Sequence, residues 1–181
     1  MTRKNIIFWI IILVIADQVI KLIIINFFID TKFDIIGSII GFRPVFNKQY
    51  SYFNALLKLN IGLLPHTLLL IFIQLVIFFL YRYLRKVQHS TKLLDISFLF
   101  GQSALICVFC GFFLWKEGIL DFLYLHFWTV DFKDIYINCF TVLFLINYIK
   151  NQTEIKSSKI KMENFLLNSW LEFRQHFKRN K

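Results

Sequence analysis

The sequence has few of the residues from which most enzyme sites are built. Its 181 residues include only 4 histidines, 3 cysteines and 6 glycines. No second histidine or cysteine stands at metal-ligand spacing from His126, no glycine-rich stretch could cradle a phosphate, and no serine lies in a nucleophile-elbow context. We therefore expect no metal or other cofactor, and carboxylates remain the best candidates for chemistry.

The scarce cysteines do not predict a disulfide framework. Cys107, Cys110 and Cys139 all fall within long apolar runs. Cys107 and Cys110 form a C-x-x-C pair, but neither a histidine nor an acidic residue stands close to them in the sequence. We interpret all three as small, polarizable packing residues rather than as a redox or metal site.

Apolar residues, in contrast, are abundant. Hydrophobic residues make up 57% of the chain, which contains 23 phenylalanines, and this is too apolar for a soluble domain of this size. Four long runs, at roughly 6–28, 63–84, 93–115 and 135–149, predict an all-α membrane protein with four transmembrane helices. We expect residues 1–150 to form this domain and residues 151–181 to form a basic tail.

The net charge of +10 reflects topology rather than nucleic-acid binding. Most of the basic residues precede the first run, lie between the second and third runs, or follow the fourth. The positive-inside rule then places both termini in the cytoplasm, and the loops at 29–62 and 116–134 face outward. Some attraction to anionic lipid is also expected.

The first outer loop and the tail each carry a recognisable pattern. Gly37 and Gly41 interrupt helical periodicity, and the β-prone piece at 42–46 predicts a small extended platform at the outer surface. Apolar residues recur in the tail at helical spacing, which predicts an amphipathic helix on the cytoplasmic leaflet or, alternatively, a partner-binding helix. They are Met162, Phe165, Leu166, Trp170, Phe173 and Phe177.

Two charged residues interrupt the first apolar run. Asp17 and Lys21 stand four residues apart, so they share one face of the predicted helix. They could be a mutually satisfied pair near the interface, with Lys21 extending to the surface. Alternatively, they face a polar site between helices.

The stretch "GILDFLYLHFWTVDFKDIYIN", residues 118–138, carries three aspartates in an apolar setting. On a single helix, the side chains of Asp121 and Asp134 would point in different directions and could not meet. They converge if the chain turns between them. Separately, Asp134 could be a helix-capping carboxylate and Asp121 a water-exposed loop residue. Two converging carboxylates would share one proton, so that one activates a water and the other donates to a carbonyl oxygen.

Four short segments resemble the lipoprotein signal peptidase (signal peptidase II) family, in an order that fits the four spans. They are "ADQVIKLII", "FRPVFNKQYSYFN", "GILDF" and "VDFKDIYI". The resemblance implies a membrane aspartyl protease with a small platform over its site. It makes Asp121 and Asp134 the catalytic pair, Asn47 a substrate-orienting residue, and Asp17 and Lys21 supporting residues.

The sequence also departs from the family pattern. The expected G-N-x-x-D-R is absent, and the corresponding region reads "CGFFLWKEG". Asp131 replaces the usual asparagine, Lys133 replaces the usual alanine, and no glycine follows Asn47. Lys133 beside Asp134 would favour an ionised carboxylate, against a shared proton. Asp131 could pair with Lys133 and leave the catalytic pair undisturbed, or it could orient the substrate.

The resemblance implies removal of signal peptides from diacylglyceryl-modified prolipoproteins at the bacterial inner membrane. The expected partners are this substrate and membrane lipid, with no nucleic acid, and the expected state is a monomer. The alternative, suggested by the departures, is a catalytically impaired paralogue that binds lipoproteins or another membrane protein without cleavage. A proton-coupled transporter is disfavoured, because the runs lack helix-breaking residues at their midplanes.

Overall fold

The computed structural model describes residues 1–50, 54, 56–89, 91–115, 117–158, 162, 164–168 and 170–171. Within these ranges, four helices are long and apolar enough to cross a membrane. They are α1 (Arg3–Ile23), which continues into a π-helical turn (Ile24–Phe28), α2 (Leu63–Val87), α3 (Lys92–Leu114) and α4 (Phe132–Lys150). The four predicted spans are therefore confirmed.

Helix α3 is the centre of the bundle, and it packs against each of the other three spans. Small residues permit this close approach. A Cβ added at Gly101 would lie 2.9 Å from the ring of Phe140 in α4, and the Ser97 hydroxyl donates to the Phe140 carbonyl at 3.2 Å. Helix α2 contacts α3 but makes few contacts with α1 or α4. Two gaps therefore flank α2, one on each side.

Both loops that were predicted to face outward contribute strands to a single antiparallel sheet. Its order is β1 (Phe33–Ile36), β2 (Ile40–Asn47), β3 (Ile119–Leu125) and β4 (Trp128–Val130). The β-prone platform was predicted only from β2, whereas β3 and β4 lie in a stretch predicted as an outer loop. The register between β2 and β3 shifts at Arg43 and Pro44, as expected where proline lacks a ladder donor.

The tail begins with a short helix, α5 (Gln152–Ser157). Further along, the Phe165 side chain is 3% exposed and packs with Tyr83, Leu84 and Leu94, at the ends of α2 and α3. Part of the predicted amphipathic face is thus buried against the protein's own helices, while Leu166 stays exposed. The predicted positions Phe173 and Phe177 lie outside the described residues.

A close backbone contact fixes the start of β3 beside the end of β2. Gly118 has φ +112°, and a Cβ there would lie 2.7 Å from the Asn47 carbonyl oxygen. We predict that Gly118→Ala lowers the free energy of unfolding by about 1–3 kcal/mol, because it adds both backbone strain and a clash. Thermal unfolding in detergent measures this.

Gly62→Ala is the matched control, because Gly62 has φ −75° and nothing lies within 4 Å of an added Cβ. Equal destabilisation by the two substitutions would contradict the assignment of strain to Gly118.

Candidate active site

The sheet places Asp121 on β3, an inner strand of the platform. On β3, Asp121 pairs with Val45 of β2, and Ile119 pairs with Asn47. The Asn47 amide therefore reaches the carboxylate, and its Nδ2 donates to Asp121 Oδ2 at 3.3 Å. Asp121 is only 4% exposed, so it is not the water-exposed loop residue of the alternative interpretation.

A capping box at the start of α4 fixes the other two aspartates relative to each other. The Asp131 side chain accepts a hydrogen bond from the Asp134 backbone N–H at 3.4 Å, and the Asp134 carboxylate accepts one from the Asp131 N–H at 3.1 Å. Each side chain thus satisfies a free N–H of the first helical turn. Asp134 both caps the helix and points toward the platform, so the two sequence interpretations of this residue are compatible.

The β3–β4 hairpin returns the chain so that the aspartates converge. One carboxylate oxygen from each of Asp121, Asp131 and Asp134 lies within 4.8 Å of the others. The turn that the sequence analysis required between Asp121 and Asp134 is therefore present. The spacing would also suit a metal ion, but the ammonium of Lys133 lies among the three groups and supplies positive charge there.

Lys133 is the least expected member of the site. Its Nζ lies 2.8 Å from Asp121 Oδ1, 2.8 Å from Asp131 Oδ1 and 3.2 Å from Asp134 Oδ2. Asp131 does pair with Lys133, as one of the two sequence interpretations had it, but this pairing does not leave Asp121 and Asp134 undisturbed. The lysine contacts both members of the predicted pair.

A second lysine supports the site from α1. The Lys21 side chain is fully buried, and its Nζ lies 3.0 Å from Asp17 Oδ2 and 2.5 Å from Asp131 Oδ2. Lys21 therefore does not extend to the membrane surface. The interpretation that Asp17 and Lys21 face a polar site between helices agrees with the structure.

Asp121 and Asp131 are the two carboxyl groups of the site that lie outside the spans, and their pKa values are shifted in opposite directions. Burial raises the pKa of Asp121 above its ordinary value, although the Lys133 ammonium acts against it. Burial also opposes ionisation of Asp131, but there Lys133 and Lys21 outweigh it and hold the pKa below its ordinary value. A buried carboxylate between two ammonium groups stays ionised, whereas Asp121 is the better carrier of a proton.

The site lies at the polar end of a groove between α2 and α4, with a volume of about 680 Å³. Asp121, Lys133, Asp134 and Asn47 form the polar end of its lining. The long wall is apolar and comes from α2 and α3. It includes Leu69, Leu70, Ile73, Val108 and Phe112.

Two contacts of the site had no signal in the sequence analysis. Gln18 donates from Nε2 to Asp17 Oδ2 at 2.7 Å, and it accepts from Trp115 Nε1 at 3.2 Å. Trp115 stands in the region where the expected G-N-x-x-D-R is absent. His66 and Tyr50 also line the groove, although no motif marks them.

Comparison with known proteins agrees with this geometry. A family model described as signal peptidase (SPase) II matches residues 9–150. The chain belongs to the signal peptidase II family. The family's members are aspartic peptidases that process lipoproteins, and with the four apolar helices this makes the chain a multi-pass bacterial membrane protein.

Two solved structures share the fold, and both are described as bacterial membrane enzyme structures obtained by the in meso method. The 1.9 Å structure has a TM-score of 0.66 at 18% identity, over 82% of this chain and 95% of that chain. The 2.3 Å structure has a TM-score of 0.61 at 15% identity, over 88% and 96%. No curated protein matches the chain. The predicted family and fold class are thus confirmed.

The pairing of Lys21 predicts a large loss of stability on its removal. We expect Lys21→Met to lower the free energy of unfolding by about 3–5 kcal/mol, because it leaves Asp17 and Asp131 buried without this ammonium. Thermal unfolding in detergent is the measurement.

Lys48→Met is the control. Lys48 is 71% exposed and lies 3.8 Å from Glu117, so we expect its removal to leave the unfolding midpoint unchanged. A Lys21→Met protein as stable as the wild type would contradict the proposed pairing.

Proposed function

We propose that the chain is an endopeptidase of the signal peptidase II type. In this proposal it removes signal peptides from diacylglyceryl-modified prolipoproteins, with Asp121 and Asp134 as the catalytic residues. The observation that carries the proposal is the convergence of these two carboxylates at the polar end of an apolar groove. Family membership supports the reaction class.

The groove fits the proposed substrate. A signal peptide is an apolar helix, and the walls of α2 and α3 would cover its side chains and lipid tails while its polar end reaches the carboxylates. The gap between α2 and α4 would allow the substrate to enter sideways from the membrane. Asn47, which already donates to Asp121, would orient the scissile peptide from the platform.

The two aspartates have environments that suit different roles. Asp121 is buried and has a raised pKa, so it would carry the shared proton and donate it to the carbonyl oxygen. The Asp134 side chain is 33% exposed, whereas that of Asp121 is 6% exposed, so Asp134 is the carboxylate that water reaches and it would accept a proton from the attacking water. That proton then passes to the leaving amine as the C–N bond breaks, and one hydroxyl of the tetrahedral intermediate returns its proton to Asp121 as the new carboxyl group forms.

Three further charged residues would position this pair. Asp131 is the N-cap of the helix that carries Asp134, and Lys21 and Asp17 hold it from α1. None of the three lines the groove. They would act by holding the N-terminus of α4 at a fixed position relative to the platform strands.

Lys133 would slow this reaction. Its Nζ contacts both Asp121 and Asp134, which favours the ionised form of each and works against a shared proton. It also lies between the two groups that a catalytic water must reach. We propose that turnover requires Lys133 to move aside, and its side chain is 11% exposed on the groove side.

The same contact favours a second candidate function. If Lys133 stays between the carboxylates, the chain would bind lipid-modified proteins in the groove without cutting them. A wild-type protein that binds the substrate but releases no product would support this alternative.

The proposed topology follows the distribution of charge. Basic residues concentrate at the ends of the spans opposite the platform, so both termini would be cytoplasmic and the active site would face outward. The proposed partners are the lipid-modified substrate and membrane lipid. A monomer suffices, because a single chain supplies all the proposed catalytic residues.

Substitution of either catalytic residue tests the proposal directly. We predict that Asp121→Asn and Asp134→Asn each lower the cleavage rate of a diacylglyceryl-modified prolipoprotein by about 10²–10⁴-fold, because each removes one acid–base group. Product formation by the purified protein in lipid is the readout. Asp34→Asn is the control, since Asp34 is an exposed platform residue paired with Arg43 at 2.8 Å. Full activity in either catalytic variant would refute the assignment.

Removal of the Lys133 ammonium should increase the cleavage rate. We predict that Lys133→Ala raises the cleavage rate near neutral pH, by about tenfold for each unit of rise in the pKa of Asp121. The loss of its ammonium lets Asp121 keep its proton to higher pH, so the alkaline limb of the pH–rate profile should move upward.

Lys133→Arg keeps the charge and should show neither effect. A lower rate in Lys133→Ala, with unchanged substrate binding, would mean that the lysine takes part in catalysis rather than opposing it.

A further inference from the structure

A second groove lies at the end of the bundle opposite the active site. It occupies the other gap beside α2, between the first turns of α1 and the last turns of α2, and its volume is about 770 Å³. Four basic side chains line it: Arg3, Arg82, Arg85 and Lys86. Its walls are otherwise mainly apolar and include Ile7, Phe78 and Phe98. The groove is therefore positively charged at one side and apolar along its length.

Only one of the four basic residues has a carboxylate partner within the described ranges. Arg85 lies 3.8 Å from Asp95 Oδ1 and donates to the Tyr81 hydroxyl at 2.7 Å. Asp95 is fully buried, and its other oxygen pairs with the terminal ammonium of Met1. Among the described residues, the one carboxylate that pairs with a basic residue of the groove is thus already neutralised.

In the part of the chain that the structure describes, no carboxylate pairs with Arg3, Arg82 or Lys86. The guanidinium of Arg82 lies 5.9 Å from the centre of the Phe78 ring, and the Lys86 ammonium lies 5.1 Å from that of Phe165. These ring contacts orient the cations without neutralising them. The groove therefore presents positive charge to which an anion could bind.

The apolar walls decide what kind of anion fits. A free phosphate would pair with the arginines but would leave the surfaces of Phe78 and Ile7 uncovered. Both side chains are on helices that face lipid, and they are 41% and 57% exposed. An acyl chain would cover them, and a phosphodiester would accept bidentate hydrogen bonds from the guanidinium groups. Basic pockets between transmembrane helices commonly bind anionic headgroups.

We propose that this groove binds one anionic phospholipid. Its phosphate pairs with Arg3, Arg82 and Lys86, and one acyl chain runs along Phe78 between α1 and α2. Because α3 is the only described span that packs closely against α2, the lipid would fill the gap between α2 and α1 and stabilise their arrangement. This site is separate from the catalytic groove, and the proposal stands whether or not the chain cleaves lipoproteins.

The test compares phosphatidylglycerol with phosphatidylcholine on the purified full chain in neutral detergent. Native mass spectrometry counts the retained lipid, and the thermal unfolding midpoint reports its stabilising effect. We expect one retained phosphatidylglycerol and a raised midpoint, with neither effect from phosphatidylcholine. Glycerol phosphate, which has the headgroup chemistry without acyl chains, should not displace the lipid at equal concentration.

A charge-removal pair with a matched control locates the site. Arg3→Gln with Arg82→Gln should weaken phosphatidylglycerol binding by about 30-fold, since each basic residue contributes to headgroup attraction. Lys4→Gln with Lys150→Gln removes the same charge at exposed positions outside the groove, and its affinity should stay within about threefold of the wild type.

The single variants Arg3→Gln and Arg82→Gln are measured as well, so that a folding defect in the double variant does not decide the result. Three outcomes would each overturn the proposal. The groove variants could all bind phosphatidylglycerol as tightly as the wild type, or the control variant could lose as much affinity as the groove double variant. The wild type could also bind phosphatidylcholine as tightly as phosphatidylglycerol.

Discussion

A buried network of opposite charges holds the candidate active site together. Asp131 lies between two ammonium groups, Lys21 of α1 and Lys133 of α4, and Lys133 extends the network to Asp121 on β3. An unpaired ion in an apolar bundle is too costly to tolerate, so each of these groups constrains the next. The helix, the capping box and the platform strand are therefore fixed by one set of contacts. Lys21 holds Asp131, and the β2–β3 pairing holds Asp121, so the geometry of the carboxylate pair does not depend on Lys133 alone.

Helix α2 takes no part in this network, and the two grooves of the molecule lie on either side of it. Of the described spans, only α3 packs closely against α2, and no residue of α2 joins the charged network. One flanking gap leads to the carboxylates and the other to the basic cluster at the opposite end. Both are apolar along most of their lining, so both suit ligands that arrive from the lipid phase.

Several features of this arrangement could be predicted from the sequence, because they follow from local patterns. The lengths of the apolar runs predicted the four spans, and the spacing of four residues predicted that Asp17 and Lys21 share one face of the first helix. The strands β3 and β4 were missed, since a short apolar segment between spans carries no clear strand periodicity. The contact of Lys133 with both Asp121 and Asp134 also depends on the hairpin, and spacing along the chain cannot reveal it. Long-range pairing of this kind appears only in the folded structure.

The most direct measurement is the cleavage of a diacylglyceryl-modified prolipoprotein by the purified wild-type chain in lipid. Mass spectrometry of the product gives the position of the cut, and a lipid-binding assay on the same sample gives the occupancy. The proposed mechanism predicts a single cut, directly before the modified cysteine, at a rate that depends on the convergent Asp121 and Asp134. Saturating substrate binding without any product would contradict it and would identify the chain as a binding protein with the peptidase fold.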